Sequence, residues 1–191
     1  MKNGTEQKLK IRDIITVVLL ALINVVIFYA SSLLYATPIT IILMPVFFAL
    51  LEGVVYFIIG ARVKKPGAML IYSVVRGIMG GYLPYIVLFI LSGAIAELLL
   101  AKVGYGNRKA ITASYVVNQL LAALGSTVYP YAIAAKSMTE QMVTDGRQDN
   151  ILAASEILQS GWAIALVAGV VVAAFVGAAI GRRVVKKHFA A

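Results

Sequence analysis

The 191-residue chain contains no cysteine, one histidine, one tryptophan and five prolines, and only 13% of its residues are charged. Without cysteine there is no disulfide framework, and the redox compartment stays open. The charged fraction is about half the ~25% usual in soluble domains. Hydrophobic residues make up 61% of the chain and the mean hydropathy is +0.92. A soluble body of this length cannot hide so much apolar surface, which excludes a soluble globular enzyme. The same apolar content excludes disorder, and glycine without a triplet period excludes a collagen-like chain. HExxH, GxSxG and Walker motifs are missing as well. No catalytic constellation is therefore expected, and any ATP hydrolysis belongs to another subunit. The single histidine, His188, lies in a basic tail and reads as a solvated side chain.

What is present is a series of long apolar runs. A bilayer core of ~30 Å needs about 20 apolar residues per helix. The runs lie at roughly 11–35, 39–61, 68–80, 83–101, 110–135 and 151–185. The third is short for a span, and Gly80-Gly81 followed by Pro84 marks a tight reversal into the fourth. The first run exceeds the apolar core of a cleavable signal peptide. The expectation is an all-α, six-helix membrane domain occupying the whole of 1–191.

Acidic residues number eight against seventeen basic ones, giving a net charge of +9. Such a balance raises the question of nucleic acid, and the positions of the charges answer it. Lys2, Lys8, Lys10 and Arg12 precede the first run; Arg62, Lys64 and Lys65 follow the second. Lys102, Arg108 and Lys109 separate the fourth and fifth, and Arg182, Arg183, Lys186 and Lys187 follow the sixth. Fourteen of seventeen basic residues thus fall on one side, leaving Lys136 and Arg147 opposite and Arg76 within a helix. By the positive-inside rule both termini are expected in the cytoplasm of a multi-pass cell-membrane protein, with loop 136–150 external. Orientation accounts for the charge, and no nucleic-acid partner is expected. In the external loop Asn150 suits an N-cap for the sixth helix, and Ser137 with Glu140 suits a capping box. No internal repeat is evident, which weighs against an inverted-repeat transporter.

Polar residues at membrane depth are the candidates for function. Glu52 precedes Arg62 by ten residues and Arg76 follows the Pro66-Gly67 turn by about as many, so both sit ~15 Å from the basic boundary on antiparallel helices. An ion pair between them is the economical reading, as a clamp between helices or as a counter-ion or proton relay. Glu97 lies near Lys102 and reads as an interfacial or partner-contact residue. Asn24, Asn118 and Gln119 suit interhelical hydrogen bonds, with Asn118 also placed to face a ligand. Tyr82, Tyr85, Tyr129, Tyr131 and Trp162 cluster near the outer boundary, with Glu156 and Gln159 beside them. An aromatic belt and a pocket both fit that placement, and Pro84, Pro130 and the polar loop favour a pocket. Gly169, Ala173, Gly177 and Gly181 recur every four residues, a stripe that admits close approach of a helix from this chain or another.

The ending GAAIGRRVVKKHF (Gly177–Phe189) and the segment MPVFFALLEGVVYFIIGARVKKPGAML (Met44–Leu70) resemble substrate-specific S components of energy-coupling factor transporters, and most of all their MptD-type, or Trep_Strep, group. The resemblance covers essentially the whole chain and implies a membrane-embedded subunit of an ABC-type importer. Such a subunit captures a micronutrient outside (a vitamin, a precursor or a haem-like compound) and docks onto a transmembrane coupling protein and two ATPases. Tyr82, Tyr85, Asn118, Tyr129, Tyr131, Gln159 and Trp162 are then the expected substrate contacts. The docking residues implied are Gly169, Ala173, Gly177 and Gly181 together with the first-helix pair Ala21 and Val25. That pair supplies only half of the alanines-four-apart motif common in S components. The group's substrates are ill-defined, so no particular cargo follows, and no cofactor is implied. The competing reading is a stand-alone transporter or channel working through Glu52, Arg76 and Glu97.

Overall fold

A computed structural model describes residues 8–135 and 148–189. Lys2, Lys136, Arg147 and the Ser137–Glu140 capping pair lie outside the described residues. Among the described residues the chain is helical throughout, with no strand. Helix α1 is Ile11–Ala30, drawn out by a 3-10 turn over Ser31–Ala36. Helix α2 (Pro38–Leu51) passes through Glu52 into α3 (Gly53–Arg62), so that Pro38–Arg62 forms one apolar span. Helices α4 (Ala68–Met79) and α5 (Leu83–Val103) follow. Helix α6 (Arg108–Ala123) continues as a π-helical segment, Leu124–Ile133. Helix α7 (Gln148–Ile157) joins α8 (Ala163–Phe189) through a π turn at Leu158–Trp162.

Five of these spans are long and apolar enough to cross a membrane, and α4, at 12 residues, is not. Its ~18 Å falls well short of a ~30 Å hydrocarbon layer. The expected sixth helix is broken: Gly161 adopts φ 101°, a left-handed conformation that a side chain resists, and bends the 40-residue stretch Asp149–His188. The fifth changes pitch ahead of Pro130, which has no N–H to give the ladder. Asn150 is not an N-cap, because the helix is already formed at Gln148; its Nδ2 instead donates to the carbonyl of Ala36 at 3.1 Å.

Local chemistry sets the helix starts. Thr37 accepts from the Thr40 amide at 3.2 Å with Pro38 at the first helical position, and Asn107 accepts from the amides of Lys109 and Ala110. Asp13 accepts from the Lys10 amide and pairs with Lys65 at 2.5 Å, fastening the start of α1 to the α3–α4 turn. At the other end of the bundle Tyr29 donates to the Met79 carbonyl. Helix direction alternates, so the basic residues beside α1, α3, α5, α6 and α8 gather at the Asp13 end. The reversal at Gly80–Tyr82 lies at the opposite end.

Helix α4 packs between α1 and α5, and α8 packs on α2, α3 and α6. This packing shows what the expected docking residues meet within the chain. A Cβ on Gly177 would strike the Ala49 carbonyl oxygen, and one on Gly181 would come 2.6 Å from that of Gly53. Ala173 is buried, and Gly169 is half-buried with only Val46 nearby. The stripe therefore brings α8 against the α2–α3 span of the same chain, and small residues permit that approach within a protomer as well as between subunits. Ala21 and Val25 are likewise buried, on the inward face of α1. Ala21, Val25, Ala173, Gly177 and Gly181 are thus covered by this chain's own helices, and Gly169 is the open end of the stripe. The exposed apolar side chains of α1 include Ile15, Leu19, Ile23 and Val26.

Candidate functional site

A cavity of about 130 Å³ lies among α1, the α2–α3 span, α4, α5 and the α6 extension. Phe28 of α1 and Met44, Pro45 and Phe48 of α2 form one wall. Tyr85 and Phe89 of α5 form a second, and Ala122, Ala123, Ser126, Pro130 and Tyr131 a third. Gly80 and Tyr82, in the α4–α5 reversal, close the side away from the basic end, and Glu52, Arg76 and Gln119 stand at the inner side. Each wall follows helix periodicity: Phe48 and Glu52 are four apart, as are Tyr85 and Phe89, and Gln119, Ala123 and Ser126 share a face. Two glycines seat Tyr85 in its wall. A Cβ on Gly125 would sit 2.8 Å from Tyr85 Cα, and one on Gly80 would overlap the ring.

The inner side is an ion pair inside an apolar core. Arg76 and Glu52 are each 1% exposed, and Arg76 Nη2 and Nε donate to Glu52 Oε1 at 2.6 and 3.1 Å. Glu52 Oε2 accepts from Gln119 Nε2 at 3.2 Å and faces Tyr72 Oη at 3.4 Å; Asn24 Nδ2 donates to that phenol. A buried pair is tolerated only with such supporting hydrogen bonds. Aromatic faces add to it, since the guanidinium carbon lies 4.7 Å from the Phe28 ring centre, 5.6 Å from Phe48 and 5.8 Å from Phe89. Arg76 Nη1 is buried and has no hydrogen-bond partner among the described residues. On the far side of the pair, the rings of Tyr72, Tyr56 and Tyr115 pack in sequence at 5.2–5.3 Å and fill the core toward the basic end.

Of the seven expected substrate contacts, Tyr82, Tyr85 and Tyr131 line this cavity. Burial pushes the Tyr82 phenol above its ordinary pKa, with the neighbouring Tyr129 adding to the shift. The other four lie elsewhere. Asn118 donates to Ser92 Oγ at 2.6 Å between α5 and α6, and Gln119, one residue on and ~100° around the helix, faces the cavity instead. Gln159 donates to Ser155 one turn back in its own helix. Tyr129 and Trp162 are 40% and 62% exposed, as aromatic-belt residues are. Sequence reasoning missed Phe28, Met44, Phe48 and Phe89. For Met44, Phe48 and Phe89 the signal was helical spacing from Glu52 and Tyr85, not nearness to a span end; Phe28, alone on α1, had no such marker.

Glu97 belongs to a different arrangement. Its carboxylate accepts from the amides of Gly67, Met69 and Leu70 at 2.9, 2.8 and 3.3 Å and from Tyr105 Oη at 2.9 Å. The start of α4 has no cap from its own side chains, so a glutamate of α5 fills the role and meets the positive end of the helix. Its hydrogen-bond partners are separate from those of Glu52 and Arg76. Among the described residues no cluster of histidines and carboxylates could hold a metal ion.

The family model Trep_Strep, described as a hypothetical bacterial integral membrane protein, matches residues 11–190. No curated protein and no solved structure matches the chain.

Proposed function

We propose, taking as premise that the chain belongs to the Trep_Strep family of bacterial integral membrane proteins, that it is the substrate-binding subunit of an importer driven by other chains. The observation that carries this reading is the cavity: aromatic walls, a buried ion pair with a spare donor, and a position at the end of the bundle opposite the basic residues. Apolar walls with a few fixed polar groups are what a small-molecule site requires. With the fourteen basic residues in the cytoplasm, both termini are cytoplasmic and the cavity faces outward. The rings of Tyr72, Tyr56 and Tyr115 fill the core beneath Arg76, so release inward needs movement of the whole bundle or an energised partner. That requirement fits an S component working with a coupling protein and two ATPases. The partner contacts lie on lipid-facing side chains, since the small-residue stripe is used within the chain.

Affinity purification of the full chain from its native membrane tests the reading. A membrane coupling protein and two ATPases should co-purify in constant ratio. A chain that comes out alone and still transports its substrate overturns it.

A further inference from the structure

Three buried polar atoms lack a hydrogen-bond partner among the described residues: Asn24 Oδ1, Asn118 Oδ1 and Arg76 Nη1. Only Arg76 borders the cavity. A guanidinium nitrogen left without an acceptor in a low-dielectric site is costly, and a bound molecule that supplied one would gain what the protein forgoes. We infer that the cavity takes a molecule with a single small ring and an uncharged hydrogen-bond acceptor, a carbonyl or ring nitrogen, that accepts from Arg76 Nη1. This rests on the reading of the cavity as the cargo site.

Size sets the first limit. At about 130 Å³ the cavity approaches the ~150 Å³ of an apolar void that admits one benzene ring, and lies below the ~300–1,000 Å³ of sites for drug-sized ligands. One ring fits; a four-pyrrole macrocycle such as haem does not. The walls set the second. Phe28, Phe48, Tyr85 and Phe89 present ring faces and edges suited to a flat partner.

Charge sets the third limit. Glu52 already balances the charge of Arg76 and occupies its Nε–Nη2 edge. A ligand carboxylate at Nη1 would meet a guanidinium whose charge Glu52 already neutralises, and would bring a second, uncompensated negative charge into a buried site. An amide, lactam or pyridine-like acceptor meets the same nitrogen without that charge. The ion pair thus acts as a filter: arginine retains a donor, and its partner removes the attraction for anions.

Calorimetric titration of the purified full-length protein with benzamide, benzoate and toluene separates the contributions. Benzamide should bind about tenfold more tightly than either of the others. Arg76→Lys keeps a cation opposite Glu52 but lacks the guanidinium fork, and should bring benzamide to the level of toluene. The inference is overturned if benzoate binds best, if toluene equals benzamide on the wild-type protein, if none of the three binds, or if folded Arg76→Lys keeps the preference. Should Arg76→Lys not fold, the three-ligand ranking on the wild type still decides. Co-purification of the ATPases is read on the same preparation. Partners present with the wrong ranking defeat this inference alone, and the right ranking without partners defeats only the importer reading.

Discussion

Glu52 and Glu97 both lie within apolar helices, each with four donors around it, and they do different things. Glu97 takes three backbone amides and a phenol, and every donor it meets is thereby satisfied at the start of α4. Glu52 takes two nitrogens of Arg76, one of Gln119 and a phenol, but the cation it neutralises is left with a nitrogen unused beside a cavity. A carboxylate at membrane depth is thus no sign of function by itself. What distinguishes the two is the donor left over and the space next to it.

The sharpest way to break this contrast is to remove one member of each arrangement. Arg76→Gln strands Glu52 among aromatic rings and should destabilise the protein by about 3–5 kcal/mol. The double variant Glu52→Gln, Arg76→Gln should recover much of that loss in thermal unfolding, and strictly additive losses would argue against the pair. Next in size is Gly177→Leu, whose side chain must push α8 off the Ala49 backbone. It should cost ~1–3 kcal/mol or more and appear as lost folded protein in size-exclusion chromatography. A well-folded Gly177→Leu protein that fails only to assemble would restore the stripe as a docking surface.

Glu97→Ala should cost less, about 0.5–2 kcal/mol, as loss of a helix cap does. Ligand affinity should be unchanged, because Glu97 touches no cavity wall; a large fall in affinity at constant stability would join the two carboxylates after all. Smallest is Trp162→Ala. At 62% exposure and outside the cavity, Trp162 should leave ligand binding within about twofold, whereas Tyr85→Ala should weaken it several-fold. Equal effects of the two would move the site to the α7–α8 bend.

The apolar runs and the basic end were legible because hydropathy and charge are summed over many residues and do not depend on any one contact. Glu52 and Arg76 were legible as neighbours for a related reason: helical rise alone brings them to one depth. Angular position was the weak point. Asn118 and Gln119 are adjacent in sequence, yet one points to Ser92 and the other to the cavity, a difference set by how α5 and α6 meet. Likewise the spacing of Gly169, Ala173, Gly177 and Gly181 announces a close helix contact but carries no information on which helix arrives. Phe28 escaped because nothing in the sequence ties a residue of α1 to one on α4, although its ring lies against the Arg76 guanidinium.

On the proposed function, the cavity beside Glu52 and Arg76 holds the cargo. Native mass spectrometry of the full-length protein released from its own membrane tests it most directly, with Ser126→Phe as comparison. Ser126 is half-buried on the cavity wall, so a phenyl ring there occupies the space while leaving the ion pair intact. The wild-type protein should carry a small bound mass that Ser126→Phe lacks at unchanged thermal stability. A wild-type protein with no bound mass, or a mass retained equally by Ser126→Phe, would contradict the account.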